Sequence, residues 1–133
     1  MGNLSEEEIG NLHNLENYHS YVFYEQSLLF STKAKDKDIY FYSFFVDVVG
    51  GSTKFMHIPI TLAELGKLES GCLSVWSFAK GKKGYAEYCD GSQSIFAKES
   101  VLDEYLPEKD IVINFDAENN NAVCSFLSDN GSN

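Results

Sequence analysis

Hydrophobic positions along this chain change their period several times, and each change marks an element. Ile9, Leu12 and Leu15 or Glu16 recur at helical spacing behind Ser5, with Glu8 placed to complete a capping box and Leu4 and Ile9 a hydrophobic staple. Glu6, Glu7 and Glu8 fall where the helix macrodipole favours negative charge, while Gly10 weakens the segment. The pattern predicts a helix of about two or three turns that needs a core behind it. From Tyr18 the period drops to two. Residues 21–24 and 28–32 read as short strands about a Glu25-Gln26-Ser27 turn, and 35–38 as a polar hairpin connection. The strongest strand signal is 39–49, with Tyr40, Tyr42, Phe44, Val46 and Val48 on one face and Ile39, Phe41 and Phe45 on the other. A strand apolar on both faces must be covered on both, which makes this the central strand.

Gly50-Gly51-Ser52-Thr53 reads as a turn and 55–60 as a returning strand, in which Pro59 indicates a strand end or an edge. Thr61 and Glu64 repeat the capping-box device before Leu62, Leu65 and Leu68, and Gly71 stops that helix. Residues 74–79 form a further helical turn or an irregular segment that buries Trp76 and Phe78. Next comes an exposed lysine loop at 80–84, then a hairpin of 84–89 and 93–97 about Asp90-Gly91. Ser100 is placed to cap a short helix through Tyr105, and 111–115 is a last strand. The expected fold class is α+β: a single domain with a mainly antiparallel, strongly bent sheet of about five to six strands packed with two or three short helices. Residues 1–116 make the compact domain, and 117–133 a partly ordered acidic, Asn-rich tail in which Val123, Phe126 and Leu127 retain the means to dock.

Composition narrows the function. The 133 residues are 44% apolar, which excludes wholesale disorder and fits one core. Twenty acidic residues face ten basic ones for a net charge of −10, and every basic residue is lysine. Without arginine, bidentate phosphate recognition and an arginine finger are absent, and a negative field opposes direct nucleic-acid binding. The field comes from the ends: residues 1–30 hold five acids and no lysine, residues 101–133 seven acids and one lysine. Cys72, Cys89 and Cys124 are odd in number and unpaired in spacing, which points to reduced thiols and a cytoplasmic location. The start lacks signal-peptide order, and no apolar run is long enough to cross a bilayer.

Candidate chemistry is sparse. His13, His19, His57 and the cysteines show no metal-ligand spacing, and no Gly-x-Ser-x-Gly elbow occurs, so no metal, cofactor or catalytic set is expected. Cys72 reads as a small buried hydrophobe and Gly50 to Lys54 as a hairpin turn rather than a phosphate loop. Asp47 reads as the start of the turn where the central strand leaves the core. Lys80, Lys82 and Lys83 form the one basic cluster. Eight tyrosines exceed what a small core needs, and partly exposed sheet tyrosines are enriched at protein interfaces.

The stretch Val22 to Phe30, followed by Lys35 to Asp38 and Ile39-Tyr40-Phe41, resembles a small domain family of bacteria and phages whose function is unknown. The resemblance continues through Ile58-Pro59-Ile60, the leucine helix, Val75 to Phe78 and Leu106-Pro107-Glu108. It implies an accessory or standalone protein and carries over no catalytic residue.

The sequence thus favours a non-enzymatic interaction domain, an accessory or inhibitor protein that meets a protein partner or a second copy of itself. Its expected surface is acidic and tyrosine-bearing: Tyr18, Tyr21, Tyr24, Glu6, Glu7, Glu8, Lys82, Lys83, Asp103 and Glu104. One alternative is a small enzyme or ligand-binding domain with a site assembled around His57, Asp47 and Cys72. The other is an acidic inhibitor competing with nucleic acid for a basic protein, using Glu6 to Glu8 or Asp103, Glu104 and Glu108.

Overall fold

Six strands that follow one another in sequence also lie side by side. The computed structural model describes residues 4–24 and 26–127, the side chains at 23, 24, 26 and 27 being outside the description. Strands β1 (Leu15–Tyr24), β2 (Gln26–Ala34), β3 (Tyr40–Val49), β4 (Ser52–Ile60), β5 (Lys83–Cys89) and β6 (Ser94–Ser100) form one antiparallel sheet in chain order. Helix α1 (Glu6–Leu12) precedes it, α2 (Leu62–Glu69) and α3 (Val75–Ala79) connect β4 to β5, and β7 (Ile111–Asp116) pairs with β8 (Asn121–Phe126) in a second, two-stranded sheet. The chain is α+β and sheet-rich.

The central strand lies where its pattern puts it, third of six. Phe41, Tyr42, Ser43 and Phe44 are consecutive and all buried, so both faces are covered, and β3 emerges into solvent from Asp47 onward. One face packs Tyr42, Phe44, Met56, Ile58 and Ala86 against Leu65, Leu68, Val75 and Phe78 of the helices and Ile111 and Ile113 of β7. Within that packing the Tyr42 hydroxyl, fully buried, finds no hydrogen-bond partner among the described residues, and burial pushes its pKa up. A polar latch joins three elements at the rim of this core. Glu69 of α2 accepts from the Tyr21 hydroxyl and from His19 Nδ1 (2.5 Å), while the His19 ring stacks 4.0 Å from Phe115 of β7. Strand β8 packs along β1, with Cys124 Sγ 3.8 Å from the Tyr21 carbonyl.

Both capping boxes form. Ser5 and Glu8 exchange bonds at the start of α1, and Thr61 and Glu64 at the start of α2. Several local expectations change, and the first is the turn expected at 25–27, because Gln26 and Ser27 already pair with β1 as the start of β2. Helix α1 ends at Leu12, and Leu15 and Glu16 open β1 instead, because their backbones pair with Ala34 and Lys33. Leu62 is 58% exposed: the buried residues of α2 are Leu65 and Leu68. Ser100 closes β6 rather than capping a helix, and the turn at Asp103–Tyr105 is a 3₁₀ turn with no side-chain cap. Past Asp116 the chain turns at Asn120, in left-handed backbone (φ 52°), and returns as β8. Pro59 lies beyond the last β4–β5 pair, His57 with Tyr85, so its missing N–H leaves no gap in that ladder.

Candidate functional site

The second face of the sheet carries the polar chemistry. Helix α1 covers part of it: Tyr85 donates to Glu8 (2.5 Å), Lys98 Nζ lies 3.5 Å from Glu8, and Lys37 donates to Asn11 (2.8 Å). The Ser5 backbone bond, then Tyr85, hold the Glu8 carboxyl down to about 2, while burial and then Glu8 push the Tyr85 hydroxyl up to about 12. Beside α1 the face stays open as a cleft of about 790 Å³. Phe30, Phe55 and Phe96 supply its aromatic walls, and Leu12 and His13 close the side next to α1. Leu15, Asn17, Ser92, Gln93 and Ser94 line it further, with Thr32, His57 and Glu87 at its floor.

A line of five side chains crosses five strands, β2 to β6, beneath this opening. Thr32 Oγ1 lies 3.0 Å from Ser43 Oγ, and Ser43 Oγ lies 2.6 Å from His57 Nδ1. His57 Nε2 lies 2.7 Å from Glu87 Oε1, and Ser94 donates to Glu87 Oε2 at 2.5 Å. Burial pushes the Glu87 carboxyl up, but the bonds from His57 and Ser94 outweigh it and hold it below the ordinary carboxylate range. An ionised carboxylate only accepts, so His57 Nε2 carries a proton. Glu87 keeps 19% of its side chain exposed, against 3% for His57, so the carboxylate is the charged group that meets the cleft.

The order Ser43–His57–Glu87 has the parts of a nucleophile, base and acid, but Ser43 is fully buried and absent from the cleft lining. A hydroxyl that no substrate reaches cannot attack one. The line therefore acts as a support that fixes the His57 ring and the Glu87 carboxylate. Among the described residues no group of three or more His, Cys, Asp or Glu is placed to hold a metal ion. No helix among them is long and apolar enough to cross a membrane.

The residues singled out in sequence are scattered. Tyr18 is 39% exposed and stacks 4.1 Å from His19, with Tyr40 edge-on at 5.2 Å. Tyr21 is buried, its hydroxyl spent on Glu69, so its ring is core rather than surface. The side chain of Tyr24 lies outside the described residues. Glu6 and Glu7 are exposed on α1, while Glu8 is committed to Ser5, Tyr85 and Lys98. Lys82 lies over the Phe78 ring (4.5 Å) and 3.9 Å from Glu64, Lys80 lies over Trp76 (4.9 Å), and Lys83 is exposed. Asp103 and Glu104 are exposed and line a smaller groove with Trp76 and Pro107. The set His57, Asp47 and Cys72 does not converge. His57 is buried on the cleft face, Asp47 is exposed at the end of β3 holding the Val48 N–H (2.7 Å), and Cys72 is exposed beyond α2. Cys72 is thus no buried hydrophobe, since the chain after Gly71 (φ 80°) turns it outward. Glu87, Ser43, Thr32, Ser94 and the Phe96 wall escape a sequence reading because they meet only across strands. The available signal was the polar pair Ser43 and His57 on adjoining, otherwise apolar strands. Comparison of the chain with protein-family models, with curated proteins and with solved structures finds no match.

Proposed function

We propose that this chain is a non-enzymatic interaction domain whose cleft beside α1 receives a segment of a protein partner. The observation that carries the reading is the cleft itself: three phenylalanine walls around a fixed, partly exposed carboxylate, on a part of the sheet face that α1 leaves open. Apolar surface framed by a polar rim is the anatomy of a docking site. We infer a strongly bent sheet, its concave side forming the cleft; the register shifts in β1 and β3 support this, since bulges increase local twist. Of the acidic groups, Glu87 is the one that lines the cleft, while Glu6 and Glu7 are exposed on the first turn of α1 outside that lining. An accessory or inhibitor role in a bacterial or phage setting, inside the cytoplasm, belongs to the same reading, and the free thiols of Cys72, Cys89 and Cys124 support the location.

Two exchanges at equal exposure of the bait test this reading: Phe96→Ser in the cleft wall and Leu62→Ser on the exposed turn of α2. A protein retained from native lysate by wild type and Leu62→Ser, and reduced at least tenfold by Phe96→Ser, supports it. Equal retention by all three baits would move the interface elsewhere. A bait that light scattering shows to be monomeric and that retains nothing in any lysate would end it.

A further inference from the structure

Resting on the protein-binding reading above, we propose that the cleft seats an arginine side chain of the partner, its guanidinium on Glu87 and its stem between Phe55 and Phe96. A carboxylate offers about four acceptor positions, and His57 and Ser94 occupy one on each oxygen, which leaves one on each for an incoming pair of donors. Two parallel N–H groups in a planar fork match that arrangement, whereas an ammonium meets it as a point charge. The walls add to this match, because a guanidinium stacks on aromatic faces and the apolar stem covers the phenylalanine rings. Charge points the same way. No lysine lines the cleft, the only other ionisable groups there are His13 and His57, and the chain as a whole carries −10. An anionic segment would meet Glu87 with no cation to offset it. These 133 residues contain no arginine, so a second copy of them does not supply this group.

The support beneath Glu87 explains why the carboxylate is ready to bind. His57 is held at both nitrogens, and Ser94 fixes the second oxygen, so the acceptor pair is oriented before a ligand arrives. Glu87→Gln is the informative variant. Its amide oxygen still accepts from His57 or Ser94, so the packing stays close to native while the charge and one acceptor are lost.

The test titrates N-acetyl-arginine amide into ¹⁵N-labelled protein and follows the amide spectrum, with N-acetyl-citrulline amide and N-acetyl-lysine amide as parallel probes. Saturable shifts at Glu87, Ser94, Phe55 and Phe96, at least tenfold weaker for Glu87→Gln and for citrulline and several-fold weaker for lysine, support the proposal. The dispersion of the Glu87→Gln spectrum reports that variant's fold in the same experiment. Equal shifts from citrulline or with Glu87→Gln would overturn it, as would shifts centred on Glu6 and Glu7 or on Asp103 and Glu104. Lysine equal to arginine would overturn the guanidinium assignment. A cleft-dependent partner in the lysate experiment with no response to arginine here defeats this inference alone. An arginine response without any such partner defeats the protein-binding reading instead.

Discussion

Replacing Gly84 by alanine is expected to lower the unfolding free energy by about 3 kcal/mol and the melting temperature by about 10 °C. Gly84 is buried at the start of β5, and a Cβ placed there would stand 2.7 Å from the His57 carbonyl oxygen. That neighbour is backbone in the middle of the sheet, so it cannot swing aside as a flexible side chain would. Relief requires β4 and β5 to separate just where His57 pairs with Tyr85. The cost therefore reaches the site: the His57–Glu87 bond should loosen, and the Glu87 amide signal should shift even in molecules that remain folded. Gly10→Ala is the control. A Cβ there meets nothing within 4 Å in a helix, so it should stabilise by about 0.5–1 kcal/mol. Equal melting temperatures for Gly84→Ala and wild type would refute the close approach of the two strands.

The second large effect concerns Lys54, which lies on the core side of β4 with its side chain only 8% exposed. Its ammonium donates to Glu99 (2.6 Å) and to the Tyr105 hydroxyl (2.8 Å) and lies over the rings of Tyr105 and Tyr88. Burial pulls its pKa down, but these partners outweigh burial and raise it. Glu99→Ala removes the charge that offsets the ammonium and strips Tyr88 and Tyr105 of their acceptor, and should destabilise the fold by about 3 kcal/mol in urea titration. The double replacement Lys54→Met with Glu99→Leu should recover most of that loss, because a desolvated ion pair gains little over apolar side chains of similar size. A double variant no more stable than Glu99→Ala would contradict this account. The same carboxylate sets an acid limit. Burial raises the Glu99 pKa, but its bonds from Lys54 and Tyr105 lower it overall, so its contribution is complete above the unfolded value of about 4.3 and is lost as pH falls through the lower folded value. Glu99→Gln should accordingly flatten the loss of stability below about pH 4.

Much of the architecture was legible because it rests on local rules. Both capping boxes, the glycines of the β3–β4 turn, the Asp90-Gly91 hairpin and the two-sided strand are each written within a few neighbouring residues. Strand β8 was not legible, because Val123 and Phe126 are exposed and its inward residues, Ala122 and Cys124, are too small to mark a face. The site was hidden for a sharper reason. Starting from the turn, Val49 pairs with Ser52 and Asp47 with Lys54, and that register continued would set Ser43 opposite Ile58. A bulge between Phe45 and Asp47 shifts the pairing by one residue and brings Ser43 opposite His57 instead. A one-residue slip exchanges the faces of a strand, so without the bulge Ser43 would share the face of Ile58, and the line from Thr32 to Ser94 would be broken. Nothing in the spacing of Phe44, Phe45 and Val46 announces that extra residue. Tyr21 misled for a related reason: its ring looks like surplus until Glu69, far along the chain, appears beside its hydroxyl.

The order of the six strands also bears on how the protein is made. Each strand of the large sheet pairs with the one synthesised just before it, so the sheet can assemble progressively while the chain is still being translated. The helix side of that sheet is different, since β7 and β8 complete its cover and β8 reaches back to β1 across 103 positions. A nascent chain halted before residue 121 therefore carries a finished sheet with an incomplete lid, leaving sticky apolar surface for chaperones or for other stalled chains to find.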